Sequence, residues 1–259
     1  MSAGPTRPVV AGVDLATEPV RTALAVLVER GRTVVVEELL LGVGDMAILD
    51  VARRVDRLGL DSPIGWPEEF LAFVTAHATG AVAAPGTEAE SRALRRRLAL
   101  RETDRDVHAR TGLTPLSVST DRIGLTAVRA AGLLAGLAAA GESVDRGGEG
   151  RVVEVYPAAC LKLWGLPHRG YKGSAGSLVR ADLLPALLAA APWLRLPPAA
   201  AALARADDNA FDAILAALAA RAVALGRAHA CPPEHRARAG REGWVRLPST
   251  PLSGLAPTP

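Results

Sequence analysis

The sequence contains very little cysteine. Only Cys160 and Cys231 are present among 259 residues, and their spacing matches neither a zinc-binding pair nor a disulfide framework. This scarcity excludes a small scaffold held together by disulfides. It predicts two reduced thiols in a reducing compartment, so we expect a cytoplasmic protein.

Long apolar runs and glycine-rich nucleotide loops are also missing. Every stretch of 18 residues contains a charge or a proline, and no apolar segment follows the opening letters MSAGPTRP. We therefore expect no transmembrane helix, no signal peptide and no membrane partner. No GxGxxG or Walker-type pattern is present, which argues against a Rossmann or P-loop nucleotide site.

Lysine is almost absent, although the chain is slightly basic. The formal net charge is +3, and Lys162 and Lys172 are the only lysines, so nearly all positive charge is arginine. The planar guanidinium suits phosphate and carboxylate recognition, but a coding bias toward alanine and arginine explains the composition equally simply. Arginines crowd one predicted helix, which is either a nucleic-acid contact or a solvated face: Arg92, Arg95, Arg96 and Arg97.

The first quarter of the chain shows an α/β pattern. With 49% hydrophobic residues the chain is able to bury a core. Apolar runs at 8–16, 22–30 and 32–41 are separated by turn residues and predict three strands joined by two hairpins. Helical spacing over 45–58 follows, and then a strand that ends at Asp61. The order so far is βββαβ.

The rest of the chain adds an insertion and further elements. The polar composition of about 79–120, with an arginine-rich helix from Glu88 to Arg110, predicts a helical insertion. A later strand contains Glu154, and the letters DDNAFDAILAALAARAVALG predict a strong final helix. Because no internal repeat or linker is visible, we expect one domain over 8–248, followed by a disordered tail over 249–259.

Carboxylates stand at the ends of several predicted elements. Asp14 closes the first strand, Asp61 closes the strand after the first helix, and Glu154 lies in the later strand. Asp208 and Asp212 open the final helix, and their spacing of four places both on one face. Each has a structural alternative, since Asp208 is a good helix cap, Asp61 a good turn former, and Glu154 a partner for Arg151 or another arginine.

A divalent cation would explain these carboxylates as a group. Two carboxylates about 4 Å apart repel by roughly 4 kcal/mol at an effective dielectric constant near 20, and a bound cation removes that repulsion. Hard oxygen ligands without a His/Cys cluster favour Mg²⁺ or Mn²⁺ over Zn²⁺. Two such ions can flank a phosphodiester, one activating water and the other stabilising the leaving oxygen.

Eight local phrases follow one another along the chain: VVAGVDLA, LGLDSPIGWP, RETDRDVH, GLTPLSVSTDRIG, VVEVYPAA, GYKG, DDNAFDAILAALAAR and EGWVRLP. In this order they resemble the domain of unknown function 429 family, a group regarded as predicted nucleases with a ribonuclease H-like fold. The resemblance covers about Val9 to Pro248. It implies a mixed sheet, three antiparallel strands followed by parallel ones, flanked by helices.

The resemblance also implies roles for individual residues. The expected catalytic and metal-binding carboxylates are Asp14, Asp61, Glu154 and Asp212, with Asp208 as a further metal ligand. Further residues are implied to bind phosphate or shape the site, with a salt bridge or a solvated helix face as the alternative: Arg101, Thr103, Asp104, Lys172 and Arg180.

Three functions stay open at this point. The first is a nuclease that uses Mg²⁺ or Mn²⁺ to hydrolyse phosphodiester bonds of DNA or RNA, with nucleic acid as its partner. The second is an actin-like or sugar-kinase-like phosphotransferase, although the letters DLATEPVRT lack the Gly-Thr pair of that fold's phosphate hairpin. The third is a non-catalytic binding protein with the same fold. Fold analogy alone is a weak basis for choosing among them.

Overall fold

Three antiparallel strands open the chain. The computed structural model describes residues 7–84 and 86–257. Strand β1 (Val10–Asp14) pairs with β2 (Ala23–Arg30), which pairs with β3 (Thr33–Leu41). The β-branched and apolar residues of these runs favour extended backbone packed on both faces.

Three shorter parallel strands complete the sheet. They are β4 (Arg57–Asp61), β5 (Val152–Glu154) and β6 (Leu194–Arg195). The six strands lie in the order β5-β4-β1-β2-β3-β6, with β1, β4 and β5 mutually parallel and β6 parallel to β3. The predicted mixed α/β sheet is confirmed, and its strand order is consistent with a ribonuclease H-like fold.

Ten helices of the described chain flank this sheet. None of them is long and apolar enough to cross a membrane. Their bounds are α1 (Asp45–Arg54), α2 (Glu68–Ala78), α3 (Glu88–Ala99), α4 (Glu102–Thr111), α5 (Ile123–Ala139), α6 (Pro157–Leu163), α7 (Ser177–Ala190), α8 (Pro198–Ala206), α9 (Asp208–Ala224) and α10 (Arg236–Glu242).

Helix α9 packs against one face of the sheet at very short range. A Cβ atom at Gly12 would lie 2.3 Å from the backbone oxygen of Ala213, and one at Gly59 would lie 2.3 Å from that of Ala216. These two glycines are register partners on β1 and β4. Because neither has a side chain, the helix backbone rests directly on the two strands.

The opposite face of the sheet is covered by α1 and α5. Val13 and Leu60 point to this side and pack with Ile48 of α1 and Leu133 of α5. Since side chains alternate along a strand, Asp14 points to the other side, the one covered by α9. The sheet therefore separates two apolar layers and directs the carboxylates that end β1 and β4, Asp14 and Asp61, toward α9.

Two sequence expectations need correction. The arginine-rich helix predicted from Glu88 to Arg110 is two helices, because the chain is extended at Leu100 and Arg101. Within 249–257 the chain is ordered rather than a disordered tail. Leu252 and Leu255 are buried against the main core through a short 3₁₀ turn. Residues 258 and 259 lie outside the described residues.

Candidate metal centre

Asp14 and Asp61 form the first half of the site. They end β1 and β4, and the parallel register places them directly side by side. Each follows a glycine by two residues, so each carboxylate shares a face with the glycine on which α9 rests. Within the described part of the chain, no hydrogen-bond donor contacts either carboxylate. Two adjacent carboxylates are therefore left without a partner.

Asp212 completes the group from α9. It lies on the first turns of this helix, fully buried, beside the alanines that contact the two strand glycines. One carboxylate oxygen from each of Asp14, Asp61 and Asp212 lies within 4.8 Å of the others. The structure thus brings together three of the predicted ligands, from two strands and a helix that are far apart in sequence.

Burial raises the pKa values of the two strand aspartates. Burial, reinforced by the neighbouring carboxylate of Asp61, raises the pKa of Asp14 to about 8. Burial also raises the pKa of Asp61 to about 6, although the ammonium of Lys172 opposes the rise. Both shifts favour the neutral acid in the metal-free protein. The site therefore lacks the positive charge that would keep all three groups ionised.

Lys172 is the cation that the chain itself supplies. Its ammonium donates to Oδ2 of Asp212, while the hydroxyl of Tyr171 donates to Oδ1 over 2.9 Å. The Lys172 side chain is 52% exposed, whereas Asp212 is inaccessible. Lys172 thus reaches the cluster from the solvent side. The role of Tyr171 was missed from the sequence, where only its place in the GYKG phrase marked it.

Arg180 positions this loop. The buried guanidinium donates to the backbone oxygens of Tyr171 and Gly173 and, on the other side, to those of Arg205 and Ala206 at the end of α8. Within the described residues, every hydrogen bond of this guanidinium is to a backbone oxygen. Arg180 therefore holds the Tyr171–Lys172 loop, and its buried position leaves it no open face toward a substrate.

Glu154 lies in a separate buried ion-pair network. Arg101 donates to both of its carboxylate oxygens, over 2.8 and 2.7 Å, and to both oxygens of Asp104. The remaining N–H of Arg101 binds the backbone oxygen of Glu242. Burial lowers the pKa of Arg101, but Glu154 and Asp104 more than offset it, so the guanidinium stays charged.

This network changes the expectation for three residues. With both Glu154 oxygens bound to Arg101, Glu154 is not among the grouped ligand atoms. The arginine pairing left open for Glu154 is the arrangement found, with Arg101 as the partner. Arg101 and Asp104 are about 1% exposed, so they are positioned to shape the cleft wall rather than to bind phosphate. Thr103 likewise binds the backbone of Val245.

Asp208 lies near the group without joining it. The cap of α9 is Asp207, whose side chain accepts from the backbone of Ala210. Asp208 lines the same cleft as Asp14 and helps to raise the pKa of Asp14. It is a further carboxylate beside the three clustered aspartates, one helical turn before Asp212.

The carboxylates of Asp14 and Asp61 form the floor of a cleft of about 1050 Å³, with Asp212 buried behind them. Asp14, Asp61 and Asp208 face it, and Tyr156 and Lys172 lie in its wall. This volume is at the upper end of the range for sites that take small molecules. The floor is therefore accessible to a ligand as well as to an ion.

The residues present fit a divalent cation. Mg²⁺ binds oxygen at about 2.0–2.1 Å, so ligands on opposite sides of one ion lie about 4.2 Å apart. The 4.8 Å limit on the three oxygens is close to that spacing, and the donors are all carboxylates. The unpartnered carboxylates of Asp14 and Asp61 supply the charge that such an ion requires.

A family model confirms the expected resemblance. The model described as "Protein of unknown function (DUF429)" matches residues 12–237, which include all three clustered aspartates. No curated protein and no solved structure matches the chain. The family thus supplies no activity by analogy, and an inference about function depends on the geometry of the site.

Proposed function

Since the chain belongs to the DUF429 family, whose function is unknown, we propose from its own site that it is a metal-dependent phosphodiesterase that acts on nucleic acid. The observation that carries the proposal is the grouping of Asp14, Asp61 and the buried Asp212 within 4.8 Å, with Asp14 and Asp61 lining an open cleft. Three carboxylates in this arrangement favour Mg²⁺ or Mn²⁺.

Asp14, Asp61 and Asp212 would hold the metal. One or two divalent ions at this position supply an activated water and stabilise the charge of the leaving oxygen in phosphodiester hydrolysis. The chain's own part is to hold the ligands rigidly, because β1 and β4 fix Asp14 and Asp61 in register and α9 fixes Asp212 against them. Asp208 adds negative charge beside the ligands.

Lys172 completes the charge arrangement. In the metal-free protein its ammonium neutralises Asp212. Its exposed stem lets it leave that carboxylate when a divalent ion takes its place. A phosphate over the floor of the cleft would then provide a second partner for this ammonium. Lys172 would thus pair with Asp212 in the metal-free site and with a substrate phosphate in the metal-bound site.

A cleavage assay with a matched control tests the proposal. The purified chain should cleave single- or double-stranded DNA or RNA when Mg²⁺ or Mn²⁺ is added, and the D212N variant should lose at least a hundredfold in rate. The control is D182N, which removes an exposed carboxylate of α7 outside the cleft. Equal cleavage by wild type and D212N, or ATP hydrolysis with no cleavage, would refute the proposal.

A metal titration separates binding from catalysis. Thermal unfolding followed with increasing Mn²⁺ should show stabilisation of the wild type and of D182N but not of D212N. If Mn²⁺ stabilises no form of the protein, the carboxylate group is not a metal site.

A further inference from the structure

Three exposed arginines line the same cleft as Asp14 and Asp61. Building on the proposed function, we propose that Arg21, Arg122 and Arg169 bind the phosphates of a single-stranded nucleic acid and guide it across the carboxylates. All three line the cleft, and all three are exposed. None of them was singled out from the sequence as a candidate site residue.

The three arginines come from distant parts of the chain. Arg21 ends the 3₁₀ turn Pro19–Arg21 that follows β1, and Arg122 is the residue before α5. Arg169 lies in the loop between α6 and α7, beside His168 and three residues before Lys172. Three unrelated segments therefore deliver positive charge to one rim.

These guanidinium groups are not used for structure. In the stretches 7–84 and 86–257, none of the three makes an ion pair or donates a side-chain hydrogen bond. By contrast, the buried guanidinium groups of Arg101 and Arg180 each donate to several acceptors. Unpaired cations next to an acidic floor fit a polyanion whose phosphates contact the rim while one phosphodiester lies over the carboxylates.

The cleft wall favours a single strand over a duplex. Leu116 and Leu125 line the cleft and are 51% and 64% exposed, and Ile123 and Tyr156 lie in the same wall. Unpaired bases stack on apolar and aromatic side chains, whereas a duplex keeps its bases stacked internally. A cleft of about 1050 Å³ also accommodates a few nucleotides rather than a segment of double helix.

Helix α3 offers a competing surface. Arg92, Arg96 and Arg97 are exposed there, but none of them lines the cleft. Phosphates held on α3 would not be placed over Asp14 and Asp61. A nucleic acid bound by the rim arginines would therefore place a phosphodiester next to the carboxylates. A nucleic acid bound by the α3 arginines would not.

Binding measurements with charge-matched variants test this assignment. Fluorescence anisotropy with labelled single-stranded DNA and RNA 12-mers, without divalent ions so that cleavage does not interfere, compares wild type with R21A/R122A/R169A. The control R32A/R227A/R236A removes three exposed arginines outside the cleft whose side chains have no ion pair with any residue that the structure describes. The variant R92A/R96A/R97A tests α3. Each variant's thermal transition confirms that it is folded.

The expected result is specific to the rim. R21A/R122A/R169A should weaken single-strand binding at least thirtyfold, and the slope of log K against log salt should fall by about 2, at about 0.7 for each phosphate contact. The control and α3 variants should change the dissociation constant less than threefold. Equal losses in all three variants, tighter binding of a duplex or a mononucleotide, or no binding by the wild type would overturn the inference.

Cleavage data keep this inference distinct from the proposed function. Rim-dependent binding of a single strand that is never cleaved with Mn²⁺ would refute the phosphodiesterase activity and leave the binding surface standing. Cleavage by R21A/R122A/R169A with an unchanged KM would refute the binding surface and leave the activity standing.

Discussion

Asp14 and Asp61 are direct register partners on adjacent parallel strands, and each lies two residues after a glycine that contacts α9. This relationship forces two carboxylates together on the face where Asp212 arrives. Among the described residues, Lys172 is the one cation that forms an ion pair with this group, through Asp212. The consequences for metal binding, pH dependence and stability are testable.

Metal affinity should rise steeply with pH. Ligand carboxylates must lose their protons to bind a cation. With pKa values of about 8 for Asp14 and about 6 for Asp61, Mn²⁺ affinity should increase about tenfold per pH unit between pH 6 and 8, and more steeply below pH 6. Calorimetry in two buffers of different ionisation enthalpy should show about one proton released per ion at pH 7. A flat affinity from pH 6 to 8 would contradict this expectation.

Removing the Asp14 charge should stabilise the metal-free protein at alkaline pH. The folded protein holds the Asp14 proton up to about pH 8, whereas the unfolded chain releases it near the ordinary pKa of 3.8. Asp14 therefore lowers the free energy of unfolding as the pH rises between these values. D14N should gain on the order of 1–3 kcal/mol at pH 8 and nothing near pH 4 in urea unfolding with EDTA. D182N serves as the control, and the idea fails if D14N is less stable than wild type at pH 8.

Neutralising Lys172 should tighten metal binding. The ammonium competes with an ion for the Asp212 carboxylate and repels cations from the cleft. K172Q should bind Mn²⁺ about tenfold more tightly, corresponding to about 1.4 kcal/mol, as measured by calorimetry at pH 8. The matched control is K162Q, which changes the chain's only other lysine. Weaker binding by K172Q would show that Lys172 supports the metal-loaded state.

The strand glycines should be intolerant of even a methyl group. At Gly12 the added Cβ would lie 2.1 Å from the backbone nitrogen of Ala217, so G12A must push α9 away from the sheet. We expect a loss of about 2–4 kcal/mol in unfolding free energy together with weaker Mn²⁺ binding. G132A is the matched control, because nothing lies within 4 Å of its added Cβ. It should gain up to about 1 kcal/mol.

Substitutions of Glu154 and Asp212 should affect different properties: E154Q should lower the stability, and D212N should abolish metal binding. E154Q leaves the buried guanidinium of Arg101 without a full countercharge and should cost about 3–5 kcal/mol of unfolding free energy. The Mn²⁺ dissociation constant of E154Q, measured at low temperature on folded protein, should stay within threefold of wild type, whereas D212N should lose binding. If E154Q loses metal binding while its stability is unchanged, Glu154 is itself a ligand.

Much of the fold was predictable from local pattern. The alternating and continuous apolar runs gave β1 to β4, and the glycine after Leu225 marked the end of α9. The break between α3 and α4 was missed, because residues 88–110 have helical composition throughout. Only the burial of Arg101 between Glu154 and Asp104 explains why the chain is extended there.

The candidate site was predictable in part. Asp14, Asp61 and Asp212 were expected from their places at element ends, and the repeated Gly-x-Asp of β1 and β4 is a sequence signal for their shared surroundings. Glu154 carried the same signal of a carboxylate at a strand end. Its actual partner, Arg101, lies 53 residues away, and no periodicity links the two positions.

The sequence by itself determined which residues lie on each strand and helix face, because side-chain alternation and helical spacing are local properties of the backbone. It therefore determined that Asp14 shares a face with Gly12 and Asp61 with Gly59. Only the tertiary structure decided which charges meet. The close approach of α9 brings Asp212 to the strand aspartates. Glu154 pairs with Arg101 because an ionised group that is buried without a partner is energetically unfavourable.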